Sequence, residues 1–229
     1  MDLSSLEKQL NISFTNKELL EQAFIHRSYL NENRDFHLAH NERLEFLGDA
    51  VLELVVTEHL FTEHPDKPEG DLTAWRAALV NTKMLASIGR ELDFNSHLLL
   101  SRGEAKEEGK ARDYILANTV EAFIGALYLD QGLKNAEKFI ITYILSKLPQ
   151  VLEDKLFLDA KSHFQEMAQE KVAITPVYNV LKDWGPDHAK NFRIGVYLGS
   201  ELAGEGEGSS KQEAEQDAAT NALKNKHWD

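Results

Sequence analysis

The feature that most constrains this chain is a change of hydrophobic period about two-thirds of the way along it. Up to about residue 155, apolar residues recur every three or four positions, the spacing of helices that bury one face. Beyond it, Phe192, Ile194, Val196 and Leu198 alternate strictly with Arg193, Gly195 and Tyr197, the period of a half-buried strand. The two patterns imply two domains, a helical one over 1–154 and a smaller one over 159–227. The boundary falls near Glu153 to Asp159, with a short linker.

The helical part divides further. Asn16 to Leu30 reads as one helix, with Asn16 as a candidate cap. A long helix runs from Asn41 to about His64 and is ended by Pro65 and Pro68. Asp71 to about Leu92 gives a helix or helix pair, 101–113 a charged loop, and Ile115 to Leu129 an apolar helix ending near Gly132. Ala136 to Leu148 is a further helix. In the second part, Asp159 to Lys171 is an amphipathic helix with Ala160, Phe164, Met167 and Ala168 on one face. Strands follow at Val177–Trp184, at the alternating segment, and at Glu201–Gly206. Ser210-Lys211-Gln212-Glu213 is a capping box that opens a last helix to about Lys224. The fold class expected is therefore an all-helical domain followed by a small α-β-β-β-α domain.

Composition narrows the chemistry. The chain of 229 residues contains no cysteine, which excludes disulfides, thiolate nucleophiles and cysteine zinc sites. Its nine histidines include no His-Glu-x-x-His spacing, so zinc is not expected. The formal charge of −13 argues against holding nucleic acid by bulk electrostatics, though local basic patches remain compatible with it. No run of 18 apolar residues is present, and Met1 to Ser5 has neither a basic nor an apolar signal region. The expectation is a cytoplasmic protein without a membrane partner.

The most informative stretch is Asn41-Glu42-Arg43-Leu44-Glu45-Phe46-Leu47-Gly48-Asp49. On a helix, Glu42, Glu45 and Asp49 at i, i+3 and i+7 project from one face, among apolar neighbours. Crowded, partly desolvated carboxylates repel, and a divalent cation relieves both penalties. The competing reading is an ordinary solvated helix face. In the apolar helix of Ile115 to Leu129, Asn118 and Glu121 share a face one turn apart. Two helices that each supply two oxygen donors suit Mg²⁺. Here too a plainer reading stands beside it, with Glu121 paired to an arginine such as Arg43 or Arg76.

These residues resemble a known family. Asn41 to Asp49, continued by Ala50-Val51-Leu52, is similar to the ribonuclease III signature. His26-Arg27-Ser28-Tyr29, Glu69-Gly70-Asp71-Leu72 and Ile115 to Asp130 resemble further segments of it, and the last 70 or so residues resemble a double-stranded-RNA-binding domain. The resemblance implies a Mg²⁺-dependent endonuclease of double-stranded RNA, with Mn²⁺ able to substitute and no organic cofactor. It implies a homodimer that leaves 5′-phosphate, 3′-hydroxyl ends and short 3′ overhangs, and that processes structured RNA such as rRNA and mRNA. By position, Glu45, Asp49, Asn118 and Glu121 match the metal ligands, and Asp49, Glu121, Glu42 and Glu69 the catalytic acids. Phe46 matches an aromatic at the dimer interface, although core packing serves a buried aromatic equally well. In the second domain, the resemblance gives RNA contact to Gln165 and Glu166, to Pro186 and His188 of the loop 185–188, and to Ser209, Ser210 and Lys211 at the start of the last helix. Free N–H groups at a helix start favour phosphate.

The chain also departs from the family. Asn118 stands where aspartate is usual, and supplies a carbonyl oxygen without a charge. Tyr114 replaces a small residue, and the loop 103–112 lacks the family's paired glycines. Residues 159–229 hold 8 basic and 12 acidic side chains, which predicts modest, salt-sensitive RNA binding. The alternative reading is a protein of the same fold that binds duplex RNA and cuts weakly or not at all, because Asn118 leaves the site one charge short. Gly204-Glu205-Gly206-Glu207-Gly208 lacks the context of a phosphate loop and reads as a turn at a strand end.

Overall fold

The computed structural model describes all residues except 1, 107, 155, 156, 158, 187–189 and 229. The chain divides into two compact units, Met1–Phe157 and Leu158–Asp229. Among the described residues, no helix is long and apolar enough to cross a membrane.

The first unit is helical: α1 (Ser4–Leu10), α2 (Lys17–Ala23), α3 (Arg27–Glu32), α4 (Glu42–Glu63), α5 (Glu69–Val80), α6 (Thr82–Glu91), α7 (Lys110–Gln131), α8 (Leu133–Tyr143) and α9 (Leu148–Glu153). The single helix expected over Asn16 to Leu30 is two. Asn16 does cap α2, accepting from the Glu18 N–H, but the chain straightens at Phe24–His26. There Leu99 N–H donates to the Phe24 carbonyl, and His26 N–H donates to the Leu99 carbonyl. This bridge buries Ile25 and satisfies backbone groups that a continuous helix would have used. His26 then caps α3 through its ring nitrogen. The segment 71–92 is a helix pair, broken where Asn81 accepts from the Met84 N–H. The helix expected over Ala136 to Leu148 ends at Tyr143, and α9 starts afresh at Leu148.

Helices α4 and α7 pack directly on each other at the centre of this unit. Helix α7 is apolar on nearly every side, as a core helix must be. Their closeness comes from Gly48 and Gly125. A Cβ built on Gly48 would stand 1.8 Å from the Glu121 carbonyl oxygen, and one on Gly125 would stand 2.2 Å from that of Leu44. The two backbones therefore meet with no side chain between them. Asn41 anchors the start of α4: it is buried, and its Nδ2 donates to the Ala23 carbonyl at 3.0 Å. Around this pair, Phe14, Phe24, Phe94, Phe123 and Phe139 form a linked aromatic core with centroids 4.9 to 5.6 Å apart along the chain of contacts.

The second unit has the expected α-β-β-β-α order: α10 (Ala160–Val172), β1 (Val177–Trp184), β2 (Asn191–Leu198), β3 (Glu201–Gly208) and α11 (Lys211–Lys226). The sheet is antiparallel in the order β1-β2-β3. Phe164 and Ala168 of α10, Val196 and Leu198 of β2, and Ala218, Ala219 and Ala222 of α11 make its core. The glycine repeat is a correction to the expected strand-end turn, because β3 runs through it to Gly208. Gly204, Gly206 and Gly208 face α11: added Cβ atoms would stand 2.1 to 2.6 Å from its backbone. Alternation places glycine under the helix, while Glu205 and Glu207 face solvent.

Candidate active site

The crossing of α4 and α7 gathers one acidic cluster. Gly48 lies one residue before Asp49 and three after Glu45, and its contact partner is the backbone of Glu121. The near-touching backbones thereby bring Glu45 and Asp49 beside Asn118 and Glu121. The charges act on one another. Burial pushes the Glu121 carboxyl up to about 8, and the carboxylates of Asp49, Glu45 and Glu53 add to the shift. Glu45 is raised by burial and by Glu42 and Asp49, against a hydrogen bond from Asn118.

The arginine reading of Glu121 fails among the described residues. Arg76 instead pairs with Glu53, Nε to Oε2 at 3.0 Å, and donates to Thr57 Oγ1 at 2.9 Å. Glu53 was not singled out in the sequence, although its spacing of four from Asp49 was a signal. Glu42 is exposed at the start of α4, where Arg27 Nη1 stands 3.6 Å and His40 Nδ1 3.7 Å from its oxygens. Among the described residues, no three Asp, Glu or His side chains converge closely enough to hold a metal ion as they lie. The donor chemistry nevertheless suits a hard cation: oxygen only, and carboxylates whose mutual repulsion an ion would relieve.

Glu69 is not brought into this cluster. It opens α5, accepts from Thr73 Oγ1 at 3.1 Å, and lines a cavity of about 640 Å³ with Thr57, Phe61, His64, Leu72 and Arg76. Phe46 is 81% exposed, which overturns the core-packing reading. Leu54 and Phe61, also exposed, continue its side of α4 within about a quarter turn.

In the second unit, Gln165 and Glu166 are exposed and line a surface groove on α10 with Ser162, Gln169 and Glu170. Pro186 is exposed after β1, and His188 lies outside the described residues. At the start of α11, Ser210 Oγ accepts from the Glu213 N–H at 3.2 Å. The return bond of the capping box comes from Ser209, whose N–H and Oγ donate to Glu213 Oε2 at 2.9 and 2.7 Å. Lys211 is exposed, with its Nζ 5.9 Å from the centroid of the Phe192 ring.

Both units match known families. Residues 16–148 match the model of the ribonuclease-III-like family, and 160–226 that of the double-stranded RNA binding motif. A ribonuclease 3 of Enterococcus faecalis is 45% identical over 221 residues, 96% of each chain. One from Streptococcus pneumoniae is 43% identical over 218 residues, covering 95% of this chain and 94% of that one. The chain belongs to the ribonuclease III family. Among solved structures, the nuclease domain of ribonuclease III from Campylobacter jejuni is similar over 65% of this chain and 99% of its own, with a TM-score of 0.58 and 40% identity.

The protein is thus a ribonuclease, a hydrolase built from a helical nuclease domain and a duplex-RNA-binding domain. Its helix α7 carries asparagine at 118, which adds no charge to the cluster. The uncharged side chain at 118 works against the rise of the Glu45 carboxyl, where an aspartate would add to it.

Proposed function

We propose that this chain is a divalent-ion-dependent endonuclease of double-stranded RNA, using Mg²⁺, with Mn²⁺ able to substitute. The observation that carries the reading is the cluster of Glu45, Asp49 and Glu121 with Asn118, whose carboxylates raise one another at the α4–α7 crossing. Glu45, Asp49, Glu121 and the Asn118 carbonyl would hold the ion. When bound, it would supply an activated water and neutralise charge on the leaving oxygen.

The residues divide the remaining work. Asn118 favours the charged form of the neighbouring Glu45 carboxyl. Asp49, exposed at the cluster's edge, faces the space a phosphodiester must enter. Glu42, held near Arg27 and His40, keeps the potential around Glu45 negative. Glu69, remote in one chain, acts as an auxiliary acid beside the RNA. Hydrolysis at the P–O3′ bond leaves 5′-phosphate and 3′-hydroxyl ends. The second domain, taken as 159–227 beside a nuclease domain of 1–154, holds the duplex by shape through Gln165, Glu166, Pro186, His188, Ser209, Ser210 and Lys211. The targets are structured rRNA and mRNA in the cytoplasm.

A homodimer completes the reading. The Campylobacter jejuni nuclease domain is described as having a region involved in dimer formation. In this chain Phe46, Leu54 and Phe61 form an exposed apolar stripe suited to a two-fold contact.

The test is cleavage of a long RNA duplex in Mg²⁺ by wild type, Glu121→Gln and Asn118→Asp, with thermal melting in Mg²⁺ and Mn²⁺ read alongside. Wild type cuts, Glu121→Gln loses about 10²-fold or more of the rate, and Asn118→Asp cuts at lower Mg²⁺. Absence of both cutting and any ion-dependent melting shift in the wild type would remove the basis of the proposal. Cutting gained only in Asn118→Asp would identify a duplex binder instead, a reading the comparisons do not support.

A further inference from the structure

From Tyr114 to Leu127, every residue of α7 is buried except Tyr114, Asn118 and Glu121. Steps of four and three residues set these three on one stripe of the helix. They are therefore the seam along which this stretch of α7 opens to solvent, and Asn118 and Glu121 belong to the acidic cluster. Tyr114 stands about 10 Å along the helix axis from Glu121. It is 61% exposed, and among the described residues no ring stacks on it. The two residues just before it pin the start of its turn of α7. Asp113 is paired with Arg90, and Arg112 Nη2 donates to the carbonyls of Glu104 and Ala105, each at 3.0 Å.

A large ring held out on a braced helix turn, at the rim of a cluster that a phosphodiester must reach, is placed to meet the substrate. We propose that Tyr114 is a substrate-contact residue that sets the position of the cleaved strand. Its ring packs on a ribose, and its hydroxyl donates to a 2′-hydroxyl or phosphate oxygen flanking the scissile bond. The chemistry suits the place. Beside several carboxylates, an uncharged donor adds no repulsion to an incoming phosphate. The wide, shallow minor groove of an A-form duplex presents 2′-hydroxyls to such a side chain. This inference rests on reading the cluster as a duplex-RNA nuclease site.

The experiment uses the full-length chain with a short RNA duplex, comparing wild type, Tyr114→Phe and Tyr114→Ala. Cleavage kinetics in Mg²⁺ and duplex affinity in Ca²⁺ are both read, with melting temperature as a check on folding. Tyr114→Ala should raise KM about tenfold and weaken binding, with kcat within about twofold and an unchanged melting temperature. Tyr114→Phe should recover the ring's share and lose the hydroxyl's. A single 2′-deoxy substitution at the flanking ribose should erase the Tyr-to-Phe difference if the hydroxyl meets the ribose, and leave it intact if it meets phosphate. Unchanged KM and affinity in Tyr114→Ala would overturn the proposal, as would a loss of activity that tracks a fall in melting temperature. If the wild type did not cut, the nuclease reading would fall, while the affinities of the three proteins would still decide whether Tyr114 touches RNA.

Discussion

Replacing Gly48 by alanine tests whether backbone contact between α4 and α7 assembles the site. The added Cβ would stand 1.8 Å from the Glu121 carbonyl oxygen and 2.9 Å from the Gly125 amide nitrogen. Relief to an ordinary contact requires the helices to part by roughly 1.5 Å, a gap that forfeits at least a quarter to a half of each dispersion contact across it. Overpacking of this kind costs about 3 kcal/mol, and alanine's better helix propensity returns about 1. The net loss expected is about 2 kcal/mol, or a fall of about 4–8 °C in the melting of the nuclease unit. Gly70 is the matched control: it lies in α5 with nothing within 4 Å of its Cβ position. Gly70→Ala should therefore be neutral or stabilising by up to about 1 kcal/mol. Urea unfolding followed by circular dichroism measures both. Because parting the helices also separates Glu45 and Asp49 from Glu121, the Gly48 variant should lose cleavage even where it is fully folded. Equal stability of the two variants would refute the argument.

Two further outcomes follow from single residues. Phe46→Ala should leave unfolding of the monomer within about 0.5 kcal/mol, because the ring is 81% exposed, while sedimentation shifts from dimer toward monomer; an unchanged dimer would remove Phe46 from the interface. Asp130 accepts from the backbone N–H groups of Thr15 and Asn16 at 2.9 and 2.7 Å. Burial works against its charge, but these bonds and one from Gln131 hold its carboxyl below the usual range. A depressed carboxyl contributes stability above its unfolded value near 3.8 and loses that contribution as pH falls through the folded value. Asp130→Asn should thus cost about 1 kcal/mol near neutral pH, with the gap to wild type closing in acid. A gap independent of pH would show that charge is not what matters there.

Much of the site was legible because helical periodicity is local. Glu42, Glu45 and Asp49 share a face by spacing alone, as do Asn118 and Glu121, and the alternation in β2 declared a strand. What spacing could not supply was distance between elements. The break at Phe24–His26 depends on Leu99, some 75 residues away, so the local pattern read through it as one helix. Arg76 was a plausible partner for Glu121 in the sequence, and the fold gave it to Glu53. Phe46 has the composition of a core residue and was left outside the core, because the buried face of α4 is the one carrying Leu44, Gly48, Val51 and Val55.

The sequence by itself determined the two-domain plan, the family, and which residues could carry oxygen-donor chemistry, since each depends on residue type and short-range spacing. Only the tertiary structure decided which of those donors meet. Glu45, Asp49, Asn118 and Glu121 come together because two glycines far apart in the chain let two helix backbones touch, whereas Glu69, equally recognisable in the sequence, opens α5 and lines a separate cavity. The reason is physical: local pattern fixes the direction in which a side chain points, but the separation of two helices is set by the bulk of whatever lies between them.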